Sequence, residues 1–230
     1  WRSPNAGARG MRDTPEAFRS LETILRDGLE RLGLDATDYI VFLILDYLSE
    51  LTLWNRRYSL LRGGPEDLIV RHVLDSLAPI DTIRREWAEA GPILDLGSGA
   101  GFPGVPLALA GGLPMVLLDR SQRAVSFLRA AVARLGISNC RVVEGDANDT
   151  SDRFAMVVSR ALSPGGRRGL ETVARTLLPR GRAVIYSGTR ESAETLLRSG
   201  EAVFDSGDVE TVGVPFLQAP RHVVLFRMPD

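Results

Sequence analysis

The sequence predicts an α/β fold, an open and mostly parallel sheet entered through a helical N-terminal cap. Three observations predict it. Residues 14–90 repeat their apolar side chains at helical spacing. From Gly91 onward, short apolar runs alternate with helical stretches. At the head of that second region, Ile93-Leu94-Asp95-Leu96 runs into Gly97-Ser98-Gly99-Ala100-Gly101-Phe102-Pro103-Gly104, an apolar strand turning through glycines into a helix.

Taken in order, residues 1–13 form a polar, flexible N-terminus with no signal-peptide pattern. Thr14-Pro15-Glu16 has the form of a helix N-cap with proline at the first helical position. Phe18, Leu21, Leu25, Leu29 and Leu32 follow on one face, and Gly33 ends the helix. A second helix is expected from Ala36 to Leu53; its run Tyr39 to Leu45 is apolar on several faces, which places it at the centre of a small bundle. Arg62-Gly63-Gly64-Pro65 makes a turn, Glu66 to Leu77 a third helix, and Pro79 to Glu89 a fourth. The cap spans 14–90 and the sheet domain 91–230.

Strands are expected at 92–96, 114–119, 140–144, 154–159, 181–187, 202–212 and 221–227, with helices near 104–111, 121–135, 166–178 and 190–199. The last strands leave no room for a helix between them, so an antiparallel strand closes an otherwise parallel sheet.

Asp119 closes the apolar run Met115-Val116-Leu117-Leu118, twenty-four positions after Asp95. An acid at the end of the second strand can accept both hydroxyls of a ribose. Asp95, inside the end of the first strand, repels a pyrophosphate and suits a ligand with a positive centre and an amino group. S-adenosylmethionine has both, a sulfonium and an α-ammonium. After a third strand, Asp146 in Glu144-Gly145-Asp146-Ala147 is placed to accept from the adenine amino group. The expected cofactor set read from the residues themselves is Asp95, Gly97, Ser98, Gly99, Gly101, Asp119, Arg120 and Asp146.

The single Cys140 rules out an internal disulfide and any multi-cysteine metal site, which points to a reducing cytoplasm. His72 and His222 are far apart and suggest no metal centre. No apolar run approaches the roughly 18 residues of a membrane span. All 28 basic residues are arginine, so every cationic contact is a guanidinium suited to bidentate recognition. The net charge of −1 argues against a bulk electrostatic grip on RNA but allows a local basic face.

Several motifs carry a family resemblance. Trp54-Asn55, Arg71-His72-x-x-Asp75-Ser76-Leu77, the block from Asp95 through Gly104-x-Pro106-Leu107, Leu118-Asp119, Val158-Ser159-Arg160-Ala161 and Arg221-His222-Val223-Val224 occur in the order of the small-subunit rRNA methyltransferase G family, also called glucose-inhibited division protein B. The chain resembles that family over about residues 20–227. The resemblance implies a Rossmann-like, seven-stranded S-adenosylmethionine-dependent methyltransferase that acts on N7 of a guanine in small-subunit (16S) ribosomal RNA. It further implies that Gly97 and Phe102 touch the cofactor, that Ala147 and Asn148 border the adenine, and that Arg160 and Arg221 stand at the cofactor and substrate mouth as the catalytic pair. Three family cations are missing: Gln122, Asp146 and Ser187 occupy their positions, and the family's Tyr-Asn-Leu-Thr element is reduced to Tyr58-Ser59-Leu60-Leu61. Each absent cation at a phosphate weakens RNA binding and flattens its salt dependence.

Guanine N7 is a nucleophilic lone pair, so transfer to it needs alignment and no general base. Arg160 can hold guanine O6 or a phosphate, or instead pair with Asp95 or Asp146. Arg221 can grip phosphate or merely cover the sheet edge. His72 reads as a core histidine that locks the cap onto the cofactor loop together with Asp75, and Trp54 as cap packing. Three functions follow: an rRNA guanine-N7 methyltransferase, a diverged member acting on a small molecule, or a non-catalytic cofactor-binding protein. The intact glycine loop with its acids disfavours the third.

Overall fold

The structure, a computed structural model, describes residues 21–87, 91–160, 162 and 166–230. The flexible segment expected at 1–13, the Thr14-Pro15 helix start, Phe18, the end of the fourth cap helix at Glu89, and Ala161, Pro164 and Gly165 lie outside the described residues.

Among the described residues the cap holds four helical runs. Helix α1 covers Glu22–Arg31 and buries Leu25 and Leu29. Helix α2 covers Asp38–Tyr58, capped by the Thr37 hydroxyl and closed by Ser59 in the left-handed region. It runs one turn past the expected end at Leu53. Asn55 supplies the reason: its side chain accepts from Leu61 N at 2.8 Å and donates to Leu61 O at 2.6 Å, tying the following loop to the helix end. Run α3 is continuous from Pro65 but changes winding, with α-helix at Pro65–Asp67, π-helix at Leu68–Leu74 and α-helix at Asp75–Leu77. Periodicity alone predicts a uniform α-helix there; the wider π turn holds Arg71 and His72. Helix α4 covers Ile80–Glu86.

Strands β1 (Ile93–Leu96), β2 (Met115–Asp119), β3 (Cys140–Glu144), β4 (Phe154–Ser159), β5 (Leu177–Ser187), β6 (Ser206–Val212) and β7 (Arg221–Arg227) make one sheet in the order β3-β2-β1-β4-β5-β7-β6. Pairing is parallel from β3 to β5, and β7 runs antiparallel to both neighbours. Helices α5 (Gly104–Leu109), α6 (Gln122–Leu135), α7 (Arg167–Thr176) and α8 (Arg190–Gly200) connect the strands. Strand β5 begins four residues before the expected position, because Leu177 already pairs with Phe154 across a register shift. Strand β6 begins later than expected; residues 201–205 turn back onto the end of α8 through Val203 and Phe204 N–H donations to Gly200 O.

Alternate strand residues divide the core in two. Ile93, Met115, Leu117, Met156, Val158 and Val184 join the cap residues Leu48, Val73 and Leu77 in one cluster. Leu94, Val116, Leu118, Val157 and Ile185 join Leu170, Val173 and Leu196 of α7 and α8 in the other. The cap is thus part of the core on one sheet face. Tyr47 of α2 is its central contact: buried, it meets Phe127 of α6 and Phe102 of the glycine loop, with ring centroids 5.8 and 5.9 Å apart, and its hydroxyl donates to Ala100 O. Trp54 packs against Phe127 at 5.8 Å, in the role expected for it. Among the described residues, no helix is long and apolar enough to cross a membrane.

Candidate functional site

Strand order reverses between β1 and β4, since β1 is followed by β2 on one side while β4 lies on the other. A sheet of this kind binds ligands at that point, outside the carboxyl ends of its strands. The glycine loop lies there. Gly97, Gly99 and Gly101 take φ of +76°, +55° and +87°, which L side chains rarely adopt. At Gly101 a Cβ would also meet Tyr47 Oη, with Val105 Cγ2 at 2.8 Å and Leu128 Cδ2 at 2.9 Å. Gly101→Ala is therefore expected to lower unfolding free energy by about 2 kcal/mol, from backbone strain plus overpacking, as read by denaturant unfolding.

A cleft of about 460 Å³ opens beside this loop, within the usual range for small-ligand sites. Of the residues expected at the cofactor, Gly97, Asp119, Arg120, Asp146, Ala147 and Asn148 line it. Asp119 ends β2; its Oδ2 accepts from Gly99 N and its Oδ1 from Ser121 N, both at 2.7 Å. Each oxygen keeps a further lone pair. Asp146 Oδ1 accepts from Asn148 N at 2.9 Å and Asn148 Nδ2 at 2.7 Å, bonds that hold its carboxyl below the usual range. Asn148 Oδ1 in turn accepts from Thr172 and Arg175 of α7, bracing that wall.

The other expected residues lie around the cleft. Ser98 is buried and its hydroxyl donates to Asp95 O at 2.9 Å. Phe102 is buried against Tyr47 and against the His72 ring at 5.3 Å. Asp95 is fully buried under the loop: Oδ2 accepts from Gly104 N at 2.9 Å, while Oδ1 has no hydrogen-bond partner among the described residues. Burial raises its pKa to about 7, the Gly104 amide opposing. The contact with His72 joins the cap to the glycine loop. Burial, followed by the nearby Arg160 charge, lowers the His72 pKa to about 4, so its imidazole is neutral at neutral pH.

Arg160 and Arg221 stand apart from this cleft and come together in a second, of about 340 Å³, between α3 and the ends of β4, β5 and β7. The partner expected for Arg160, Asp95 or Asp146, is replaced by Asp75, whose Oδ2 lies 3.4 Å from Arg160 Nη2. Asp75 Oδ1 accepts from Arg221 Nε at 3.1 Å. Sequence reasoning placed Asp75 in a lock but missed that it bridges both arginines. It also missed Leu96, Ser159, Leu162 and Thr172 of the first cleft. Leu96 and Ser159 end strands at the switch point, which was the available signal.

S-adenosyl-L-methionine fits the first cleft on this geometry. Gly97, left-handed at φ +76°, lines it without a Cβ, Asp119 and Asp146 offer acceptors to hydroxyl and amino groups, and the orphan Asp95 Oδ1 beneath the loop supplies negative potential for a cationic ligand. A seven-stranded sheet with one reversed strand and this nucleoside cleft at its switch point defines the class: an S-adenosyl-L-methionine-dependent methyltransferase. A methyltransferase from Pyrococcus furiosus shares the fold at TM-score 0.53 and 15% identity, over 80% of this chain and 96% of that one. A tRNA methyltransferase from Aquifex aeolicus does so at TM-score 0.52 and 15% identity, over 68% and 69%. The family model for rRNA small subunit methyltransferase G (GidB) matches residues 42–224, and the chain belongs to that family. The ribosomal RNA small subunit methyltransferase G of Treponema pallidum is 35% identical over 194 residues, 81% of this chain and 85% of that protein. The protein of that name from Xylella fastidiosa is 36% identical over 219 residues, 93% and 96%.

Proposed function

We propose that this enzyme methylates N7 of a guanine in small-subunit (16S) ribosomal RNA, in the cytoplasm, with residues 91–230 carrying the chemistry and 14–90 serving as a cap. The observation that carries the reading is the meeting of two clefts on consecutive residues of the chain. Ser159, closing β4, lines the cofactor cleft, and Arg160 lines the arginine-bearing one. An open, cationic cleft next to the cofactor suits a nucleotide of a polyanion; a small neutral acceptor would call for a closed apolar pocket.

S-adenosyl-L-methionine, when bound, supplies a methyl group on a positively charged sulfur. The protein's own part is alignment. Asp119 fixes the ribose through its carboxylate oxygens, and Asp146 with Asn148 borders the adenine. Leu96, Leu118 and Leu162 give the cleft apolar wall. N7 needs no proton removed, so no general base is required. Arg160 holds the cap against the sheet beside the acceptor, and Arg221 faces the acceptor from the other side of the second cleft.

Purified protein is expected to transfer labelled methyl to one guanine of small-subunit rRNA that lacks the N7 mark, with Gly97→Asp inactive. Cofactor binding without transfer to rRNA or to assembled small subunits would send the search to small-molecule acceptors.

A further inference from the structure

The two arginines of the second cleft are in unequal states. Arg160 is consumed internally: Nη1 donates to His72 O at 3.3 Å and Ser76 Oγ at 3.0 Å, while Nη2 donates to Arg71 O and approaches His72 Nδ1, both at 3.4 Å. These bonds satisfy carbonyls along the π-wound part of α3, so its guanidinium has little left for a ligand. Arg221 is different. It spends only Nε, on Asp75, and its two terminal amino groups make no hydrogen bond among the described residues. Its side chain is nevertheless 23% exposed, with Asp75 at 10%. A guanidinium largely withdrawn from water with four N–H donors unspent is a built anion acceptor.

The surroundings agree. Arg71 lines the same cleft and uses Nε on Asp67, at 3.0 Å on the exposed rim. Three arginines thus face the one lining carboxylate, Asp75, which both arginines at the strand ends already share. Neighbouring polar groups do not compete for the site. Tyr186 donates its hydroxyl to Ser76 O at 2.6 Å, and Ser187 donates to Thr189 O at 3.2 Å. Thr189 caps α8 at the rim, adding the positive end of an eleven-residue helix.

Resting on the proposed rRNA reading, we infer that this cleft seats a backbone phosphate of the acceptor nucleotide, gripped by the terminal amino groups of Arg221 with Arg71 at the rim, and that Asp75 is the positioning residue that presents Arg221 to it. A diester in this cleft lies one residue along β4 from the cofactor cleft, which leaves its base on the cofactor side. Asp75 takes only Nε of Arg221, so the face that matches two phosphate oxygens stays open.

The test compares the full-length wild type with Arg221→Gln and, because that change strips a partner from buried Asp75, with the solvent-exposed Arg71→Gln. Methyl transfer to rRNA gives KM and kcat, fluorescence anisotropy of a labelled rRNA fragment gives affinity against salt, and calorimetry gives cofactor affinity. Arg221→Gln is expected to raise the RNA KM about tenfold and flatten the log–log salt slope by about one, with kcat and cofactor affinity within about twofold. Arg71→Gln is expected to shift RNA affinity in the same direction by about threefold. Unchanged RNA KM and salt slope in both variants would overturn the assignment. Inorganic phosphate, at constant ionic strength, is expected to compete with the RNA fragment in wild type and less so in Arg221→Gln, since both anions would use the same guanidinium donors. If the wild type transfers no methyl to rRNA, the functional reading fails; the cleft is then decided by anisotropy alone, where equal RNA binding by wild type and Arg221→Gln overturns it.

Discussion

Asp119→Ala is expected to weaken S-adenosyl-L-methionine binding by at least about 100-fold, or roughly 2.8 kcal/mol, and to bring methyl transfer to background. Two losses add. The first is direct: the carboxylate proposed to take the ribose hydroxyls is gone, and charge-assisted hydrogen bonds are the strong ones. The second acts through the loop. Asp119 Oδ2 holds Gly99 N and Oδ1 holds Ser121 N, each at 2.7 Å, so the same carboxylate tethers the glycine turn and the entry to α6. Without it, Gly99 and Gly101 lose a tether on a backbone already at positive φ. Asp119→Asn should fall between, because an amide retains one acceptor oxygen but turns an N–H toward one of the two backbone donors. Titration calorimetry, with a thermal melt to confirm folding, reads the result; a folded Asp119→Ala protein with cofactor affinity within threefold of wild type would remove Asp119 from the site.

The largest stability effect is expected at Asp95. Its pKa rises from 3.8 to about 7 on folding because it is fully buried. Between those values the folded state binds more protons than the unfolded chain, so stability falls as pH rises through the window. From pH 5 to pH 8 this group alone should remove roughly 3 kcal/mol in the absence of cofactor. In Asp95→Asn that dependence vanishes: the amide oxygen still accepts from Gly104 N, and no charge is buried. The variant's stability relative to wild type should therefore rise with pH. His72 titrates across an overlapping range with the opposite sign, since its lowered pKa costs stability as pH falls from 6.5 toward 4. The wild-type-minus-variant difference cancels His72 and isolates Asp95. Denaturant unfolding at a series of pH values provides the measurement, and a difference flat with pH would mean that Asp95 stays ionised in the fold. A bound cofactor, bringing positive charge near Oδ1, should shrink the effect.

The two parts of the molecule differ in how far they can be read from the chain alone. Strands β1 to β4 and β7 begin and end within a residue or so of the positions expected, because each is a short apolar run bounded by glycine, proline or a polar turn. The glycine turn and the acids at the ends of β1 and β2 were legible for the same reason: strand, turn and helix are contiguous, and their chemistry is written in local spacing. The π-wound stretch of α3 was not, because its apolar pattern matches an ordinary helix and the extra residue per turn is accommodated by carbonyls that Arg160 bonds from 88 and 89 residues away.

The partners of Asp75 were equally out of reach. It lies on the cap, 146 positions from Arg221, and nothing in either local sequence marks the pair. What the sequence by itself determined was the sheet, its switch point and six of the residues that line the cleft there, since these follow from periodicity and short-range turns. What only the tertiary structure decided was the division of labour between the two arginines. A guanidinium's role depends on which of its five donors are already spent, and the groups that spend them arrive from strands and helices that meet only once the cap has closed on the sheet.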